Sequence, residues 1–120
     1  MKKTHSHDSA LNQYLGNKVV KLCIIGAGRA GEFHVNSLSS NKHFKLLYII
    51  DFDSKKAQEL ANKACCSYNN SLDWVLLNVE FDAVLICTTT NTHCELITKC
   101  LNHKKHVLCE KPLGKNIQDI

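Results

Sequence analysis

Five short apolar runs punctuate this chain, and polar or amphipathic stretches separate them. Residues 19–25, 44–50, 83–87 and 105–109 are rich in Val, Ile, Leu and Cys and show no apolar-polar alternation. Runs of that kind suit strands covered on both faces, as in a parallel sheet. Cys65, Cys66, Ser67 and Tyr68 form a weaker run that reads as a short edge strand. The segments between them carry helical spacing. Ala30, Phe33, His34, Ser37 and Leu38 lie at three- and four-residue steps and are the expected inward face of the first helix. Ala57, Leu60, Ala61 and Ala64 mark the second, with Asp53 or Ser54 as its cap. Leu72, Val75, Leu76 and Val79 mark a third behind Ser71, and Leu96, Ile97, Cys100 and Leu101 a fourth. Lys99 and Asn102 are expected on the outer side of that last helix.

Strand and helix alternate from residue 18 onward, which is the pattern of a doubly wound α/β domain. Right-handed crossovers then predict a parallel sheet in the order 3-2-1-4-5. We expect a domain over residues 18–120, preceded by a flexible extension over 1–17 and incomplete before its last unit. The extension carries His5, His7 and Asp8, a loose metal-binding pattern whose plainer reading is a solvated tail; no metal is predicted.

Composition narrows the class. The 120 residues are 44% hydrophobic and 22% charged with a net charge of +4, which fits an ordinary soluble domain. The lysines are scattered, so nucleic acid is not an expected partner. No stretch reaches the roughly 18 continuous apolar residues of a membrane span, and the N-terminus lacks the apolar centre of a secretory signal. Seven cysteines without a C-x-x-C pair read as buried, reduced thiols. Cytoplasmic residence is the expectation.

Three motifs carry chemistry. Gly26, Gly28 and Gly31 have the spacing G-x-G-x-x-G between the first strand and the first helix. The first glycine permits a sharp exit from the strand, the second leaves room for a pyrophosphate, and the third lets helix and sheet approach. Backbone N–H groups around Arg29 and Ala30 and the positive end of the helix would face the phosphate. Asp51 ends the second strand 20 residues past Gly31, where a carboxylate accepts hydrogen bonds from ribose hydroxyls. Its charge favours NAD over NADP, with Lys55 and Lys56 as a partial offset. The plainer alternatives are a tight turn without ligand and helix capping by Asp51 or Asp53.

The second motif is Thr88, Thr89, Thr90, Asn91, Thr92 and His93, at the carboxyl end of the fourth strand. Its hydroxyls and Asn91 can contact the cofactor, or Asn91 or Thr92 can cap the helix; His93 reads as a surface residue. The third is Glu110-Lys111-Pro112, after the fifth strand on the same sheet edge. A lysine there can hydrogen-bond a substrate hydroxyl or act on a neighbouring base, or be an ordinary surface residue. Pro112 restricts Lys111 to extended conformations.

Together, GAGRAGEFH at 26–34, Asp51, DAVLICTTTNTHCELI at 82–97 and KHVLCEKPLGKNI at 105–117 resemble the N-terminal domain of the glucose-fructose oxidoreductase and inositol dehydrogenase (Gfo/Idh/MocA) family, in particular its inositol 2-dehydrogenase-like branch. The resemblance covers residues 19–120. It implies a Rossmann domain binding NAD, less readily NADP, in an oxidoreductase that moves hydride to or from a sugar or polyol. It maps the catalytic lysine onto Lys111 and the cofactor contacts onto Gly26, Gly28, Arg29, Ala30, Gly31, Asp51, Thr88, Thr89, Asn91, His93, Glu110 and Lys111. It also implies a second domain that supplies the acid–base histidine, the substrate pocket and homo-oligomer contacts. On that reading this chain is the cofactor half of the active site. The alternative is a non-catalytic protein that binds NAD(H) or a partner.

Overall fold

The computed structural model describes residues 18–88 and 92–109. The expectations placed on His5, His7, Asp8, Thr89, Asn91, Glu110, Lys111 and Pro112 lie outside the described residues. Five strands and four helices alternate: β1 (Val20–Ile25), α1 (Arg29–Leu38), β2 (Phe44–Ile50), α2 (Ser54–Ala64), β3 (Ser67–Asn69), α3 (Leu72–Asn78), β4 (Ala83–Ile86), α4 (His93–Asn102) and β5 (His106–Cys109). All pairings are parallel, and the order is β3-β2-β1-β4-β5, as the crossover rule predicts.

β1 and β4 are central, and Leu22, Cys23, Ile24, Ile25 and all four residues of β4 are buried. Successive side chains point to opposite faces, so the sheet feeds two cores. Leu22, Ile24, Ile49 and Leu85 pack with Val35 of α1 and Ala57, Leu60 and Ala61 of α2. Cys23, Ile25, Val84 and Ile86 pack with Leu72, Val75 and Leu76 of α3 and Cys100 of α4. The register between β1 and β2 slips after Leu22, so that Cys23 faces Tyr48.

The caps of α2 and α3 follow the sequence, while Thr92 stands at the start of α4 without a side-chain cap bond. Asp53 accepts from the N–H groups of Lys55 and Lys56 at the start of α2, and Ser71 Oγ accepts from Trp74 N–H at the start of α3. Two helix faces differ from expectation. In α1 the sheet side is Gly31, Val35 and Leu38, while Phe33 is 64% exposed and Ser37 is exposed. In α4 the inner stripe is His93, Leu96, Ile97 and Cys100, and Leu101 is exposed. The edge strand begins at Ser67, two residues later than expected.

Cys23 and Cys100 are fully buried, Cys66 and Cys87 half-buried, and Cys65 and Cys94 exposed; these six are in the reduced thiol form. Burial pushes the Cys23 thiol from 9.0 up to about 12 and Cys66 to about 11. Both folded values exceed the unfolded one, so these thiols favour the fold fully below pH 9.0 and lose that contribution as pH rises toward 12. Expected result: with a thiol-specific chromogenic reagent at mildly alkaline pH, Cys65 and Cys94 react at once. Cys23 and Cys100 should react only in denaturant. Rapid labelling of Cys23 in the native protein would contradict the buried assignment.

Candidate nucleotide-binding site

The carboxyl ends of β1, β2 and β4 meet at one edge of the sheet. Gly26 N–H donates to the Ile50 carbonyl and Cys87 N–H to the Ile25 carbonyl, each at 2.7 Å. These bonds carry the ladder one residue past the strands and fix where each loop departs. Gly26 adopts φ +111°, a conformation open to glycine, and turns the chain sharply out of β1. A Cβ on Gly31 would overlap the Gly26 carbonyl oxygen and touch Leu60, so α1 can seat on the turn only because that side chain is missing. Gly28 has nothing within 4 Å of a Cβ position and faces open space.

α1 begins at Gly28 with no side-chain cap, whereas α2 and α3 are capped by Asp53 and Ser71. The N-terminal amides of a helix need partners, and a helix opening on a glycine turn offers them to an anion. Asp51 is built into the same turn. Its Oδ2 accepts from Ala27 N–H at 2.8 Å and its Oδ1 from Asp53 N–H at 2.9 Å. Each carboxylate oxygen retains a further lone pair for a hydroxyl donor.

The end of β4 is tied to the start of α4. His93 is 5% exposed and its Nε2 donates to the Thr88 carbonyl at 2.8 Å. A carbonyl only accepts, so the proton sits on Nε2; Nδ1 is buried with no hydrogen-bond partner among the described residues. The surface position expected for His93 is therefore wrong: it is buried and ties Thr88 to α4. The Thr88 and Thr92 hydroxyls stand 2.9 Å apart and make a second link between these two elements.

These elements enclose a cleft of about 620 Å³. Of the sequence-predicted site residues, Gly26, Gly28, Asp51 and Thr88 line it. Gly31 and His93 shape it from behind, and Arg29 and half-buried Ala30 open the helix beside it. Lys56, expected beside Asp51, also lines it, but motif reading missed the far walls: Phe52 after β2, Asn70, Ser71 and Asp73 at the start of α3, and Glu95, Leu96 and Lys99 on α4. Lys99 Nζ reaches Asp73 Oδ1 at 3.1 Å and joins the last two walls. β5 ends with Cys109 paired to Ile86, so its carboxyl end lies on the sheet edge that carries this cleft.

A glycine turn, an uncapped helix and a carboxylate at the next strand end, all on one cleft, form the arrangement that binds a dinucleotide at the switch point of a parallel sheet. Residues 20–120 match the family model of the Gfo/Idh/MocA oxidoreductases, described as an oxidoreductase family with an NAD-binding Rossmann fold. The chain belongs to that family. It is 35% identical over 103 residues to the myo-inositol 2-dehydrogenase of Thermotoga maritima, covering 84% of this chain and 30% of that enzyme. It is 33% identical over 101 residues to the inositol 2-dehydrogenase of Rhizobium meliloti, with the same coverage of 84% and 30%. The myo-inositol dehydrogenase of Corynebacterium glutamicum superposes with a TM-score of 0.75 at 31% identity, covering 84% of this chain and 30% of that one. GenD2 of gentamicin A biosynthesis, solved with NAD, shares the fold at a TM-score of 0.77 and 22% identity over 85% of this chain and 29% of its own. This chain thus spans about 30% of the length of the curated relatives it matches. It is an NAD-binding domain of an oxidoreductase family. No helix among the described residues is long and apolar enough to cross a membrane.

Proposed function

We propose that this chain is the nucleotide-binding part of an oxidoreductase that transfers hydride between NAD and a sugar or polyol such as myo-inositol. The observation that carries the reading is the convergence of Gly26, Gly28, Asp51 and Thr88 on one cleft. The similarity to two inositol 2-dehydrogenases supports the substrate class. The start of α1 would hold the pyrophosphate through its backbone N–H groups and helix dipole. Asp51 would accept from the adenosine ribose hydroxyls, and the turn from Thr88 through Thr89 and Asn91 would contact the opposite side. When bound, NAD supplies the hydride acceptor.

Lys111 follows β5 by two residues and takes the catalytic role implied by the family motif, hydrogen-bonding the substrate hydroxyl whose proton passes to the acid–base histidine of the second domain that the resemblance implies. Glu110 is read as a cofactor contact beside it.

NADH fluorescence tests the first half of this reading. Titration should show saturable enhancement with the purified chain, and none at millimolar cofactor would overturn the assignment. For the second half, these residues replace the corresponding 30% of the T. maritima enzyme. The chimera should reduce NAD with myo-inositol and lose about 100-fold or more in kcat on Lys111→Ala. A chimera that binds NADH yet oxidises no polyol would overturn the reading of these residues as the cofactor half of a working dehydrogenase.

A further inference from the structure

We propose that His93 is a positioning residue of the nucleotide site, a buried imidazole kept for the place it gives Thr88 rather than for stability. The inference rests on the dinucleotide reading of the cleft and deepens it. His93 is 5% exposed, yet its ring satisfies only one of its two nitrogens. Nε2 donates to the Thr88 carbonyl at 2.8 Å, while Nδ1 is buried without a partner among the described residues. A buried acceptor that meets no donor forfeits its hydrogen bond to water, and one neutral hydrogen bond elsewhere on the ring returns no more than that. For stability alone, an apolar side chain of similar bulk serves this position at least as well. Thr88 is half-buried and borders the cleft, so loss of the imidazole would leave its carbonyl to water.

What the imidazole secures is geometry. On its amide side Thr88 is set by β1: a Cβ on Gly26 would stand 2.9 Å from the Cys87 carbonyl carbon and 3.1 Å from Thr88 N. The Cys87–Thr88 peptide therefore lies directly against the glycine turn, and Cys87 N–H is tied to the Ile25 carbonyl. On its carbonyl side the tie is His93, the first residue of α4. The contact between the Thr88 and Thr92 hydroxyls joins side chains and leaves the peptide plane free to turn. The imidazole thus sets how Thr88 leaves the glycine turn, and with it where a cleft-lining residue stands. β4 is held by its ladders to β1 and β5, and α4 by Leu96, Ile97 and Cys100 in the core. Both elements should stay in place when the ring is removed, so the effect is expected at the site and not in the fold.

His93→Leu removes both nitrogens and keeps the bulk, whereas His93→Gln returns an amide N–H donor near the place of Nε2. NADH is titrated by fluorescence against the parent chain and both variants, and thermal melting is followed by circular dichroism. We expect His93→Leu to melt within about 3 °C of the parent or above it. It should bind NADH about tenfold more weakly, and His93→Gln should recover most of that affinity. Affinity of His93→Leu within about twofold of the parent overturns the proposal and leaves the cofactor site standing. A larger fall in melting temperature alongside the affinity also overturns it, because the ring would then be serving the core. Equal weakening in both variants overturns it as well, since the donor would not be what matters. Nitrogen-15 NMR of the parent chain needs no variant to fold: the His93 proton is expected on Nε2, and a proton on Nδ1 instead would remove the tie to Thr88. Failure of the parent to bind NADH overturns the dinucleotide reading and this inference with it.

Discussion

Gly26→Ala is expected to destabilise the domain strongly, with its urea midpoint falling by roughly half and the NADH response lost. Two independent penalties meet at this position. The residue sits at φ +111°, where a side chain costs about 1–2 kcal/mol. An added Cβ would also stand 2.9 Å from both the carbonyl carbon and oxygen of Cys87 and 3.1 Å from Thr88 N. Those are backbone atoms, and they cannot swing aside. Cys87 N–H is tied to the Ile25 carbonyl and Gly26 N–H to the Ile50 carbonyl, so relief requires prising β4 or β2 from β1. Overpacking against rigid neighbours adds about 1–3 kcal/mol, so roughly 3 kcal/mol is at stake in a domain with about 5–15 kcal/mol to lose. Gly28→Ala supplies the contrast. Nothing lies within 4 Å of its Cβ, so that variant should keep the urea midpoint while weakening NADH by filling the space reserved for the pyrophosphate. Equal midpoints for Gly26→Ala and the parent would refute the close-approach argument.

The same close approach explains where the sequence misleads about α1. Counting from Ala30 selects Phe33 and Leu38, yet the helix is rotated so that Gly31 lies against the turn. That seating puts Val35 and Leu38 on the sheet and turns Phe33 to solvent. Periodicity gives a helix its stripe but leaves the rotation to its tightest contact. In α2 and α3 no such contact competes, and Ala57, Leu60, Ala61, Leu72, Val75 and Leu76 are buried as their spacing predicts. Strand order was legible because uninterrupted apolar runs and right-handed crossovers leave few topologies.

The site was legible only where a backbone requirement imposes a residue type. Gly26, Gly31, Asp51 and Asp53 each answer such a requirement. His93 does too, since Thr88 needs a donor for its carbonyl, but an imidazole at the start of a helix looks the same in sequence whether buried or exposed. The walls formed by Leu96 and the Lys99–Asp73 pair join residues 26 positions apart on different helices, and no local pattern announces them.

Asp51→Ala is expected to weaken NADH binding about 30- to 100-fold and to lower stability by about 1–3 kcal/mol, two effects with separate causes. The stability loss arises inside the protein. Ala27 N–H and Asp53 N–H both lose their carboxylate acceptor, and the Ala27 bond is partly buried. A buried donor without a partner bears its full desolvation cost. The affinity loss has two parts: removal of the ribose acceptor, and loosening of a turn whose shape that carboxylate helps to set. Isothermal titration with ADP and with nicotinamide mononucleotide distinguishes them. A purely local loss at the ribose should reduce ADP binding and leave the mononucleotide unaffected. A loosened turn should weaken both, because Ala27 lies between Gly26, which turns the chain out of β1, and Gly28, which faces open space. Asp51→Asn refines the result: its single carbonyl oxygen can satisfy Ala27 N–H or Asp53 N–H, while its amide group opposes the other donor. That variant should fall between alanine and the parent in melting temperature. Unchanged NADH affinity in Asp51→Ala would remove the ribose assignment, because no other side chain is joined by hydrogen bonds both to the glycine turn and to the entry of α2 among the described residues.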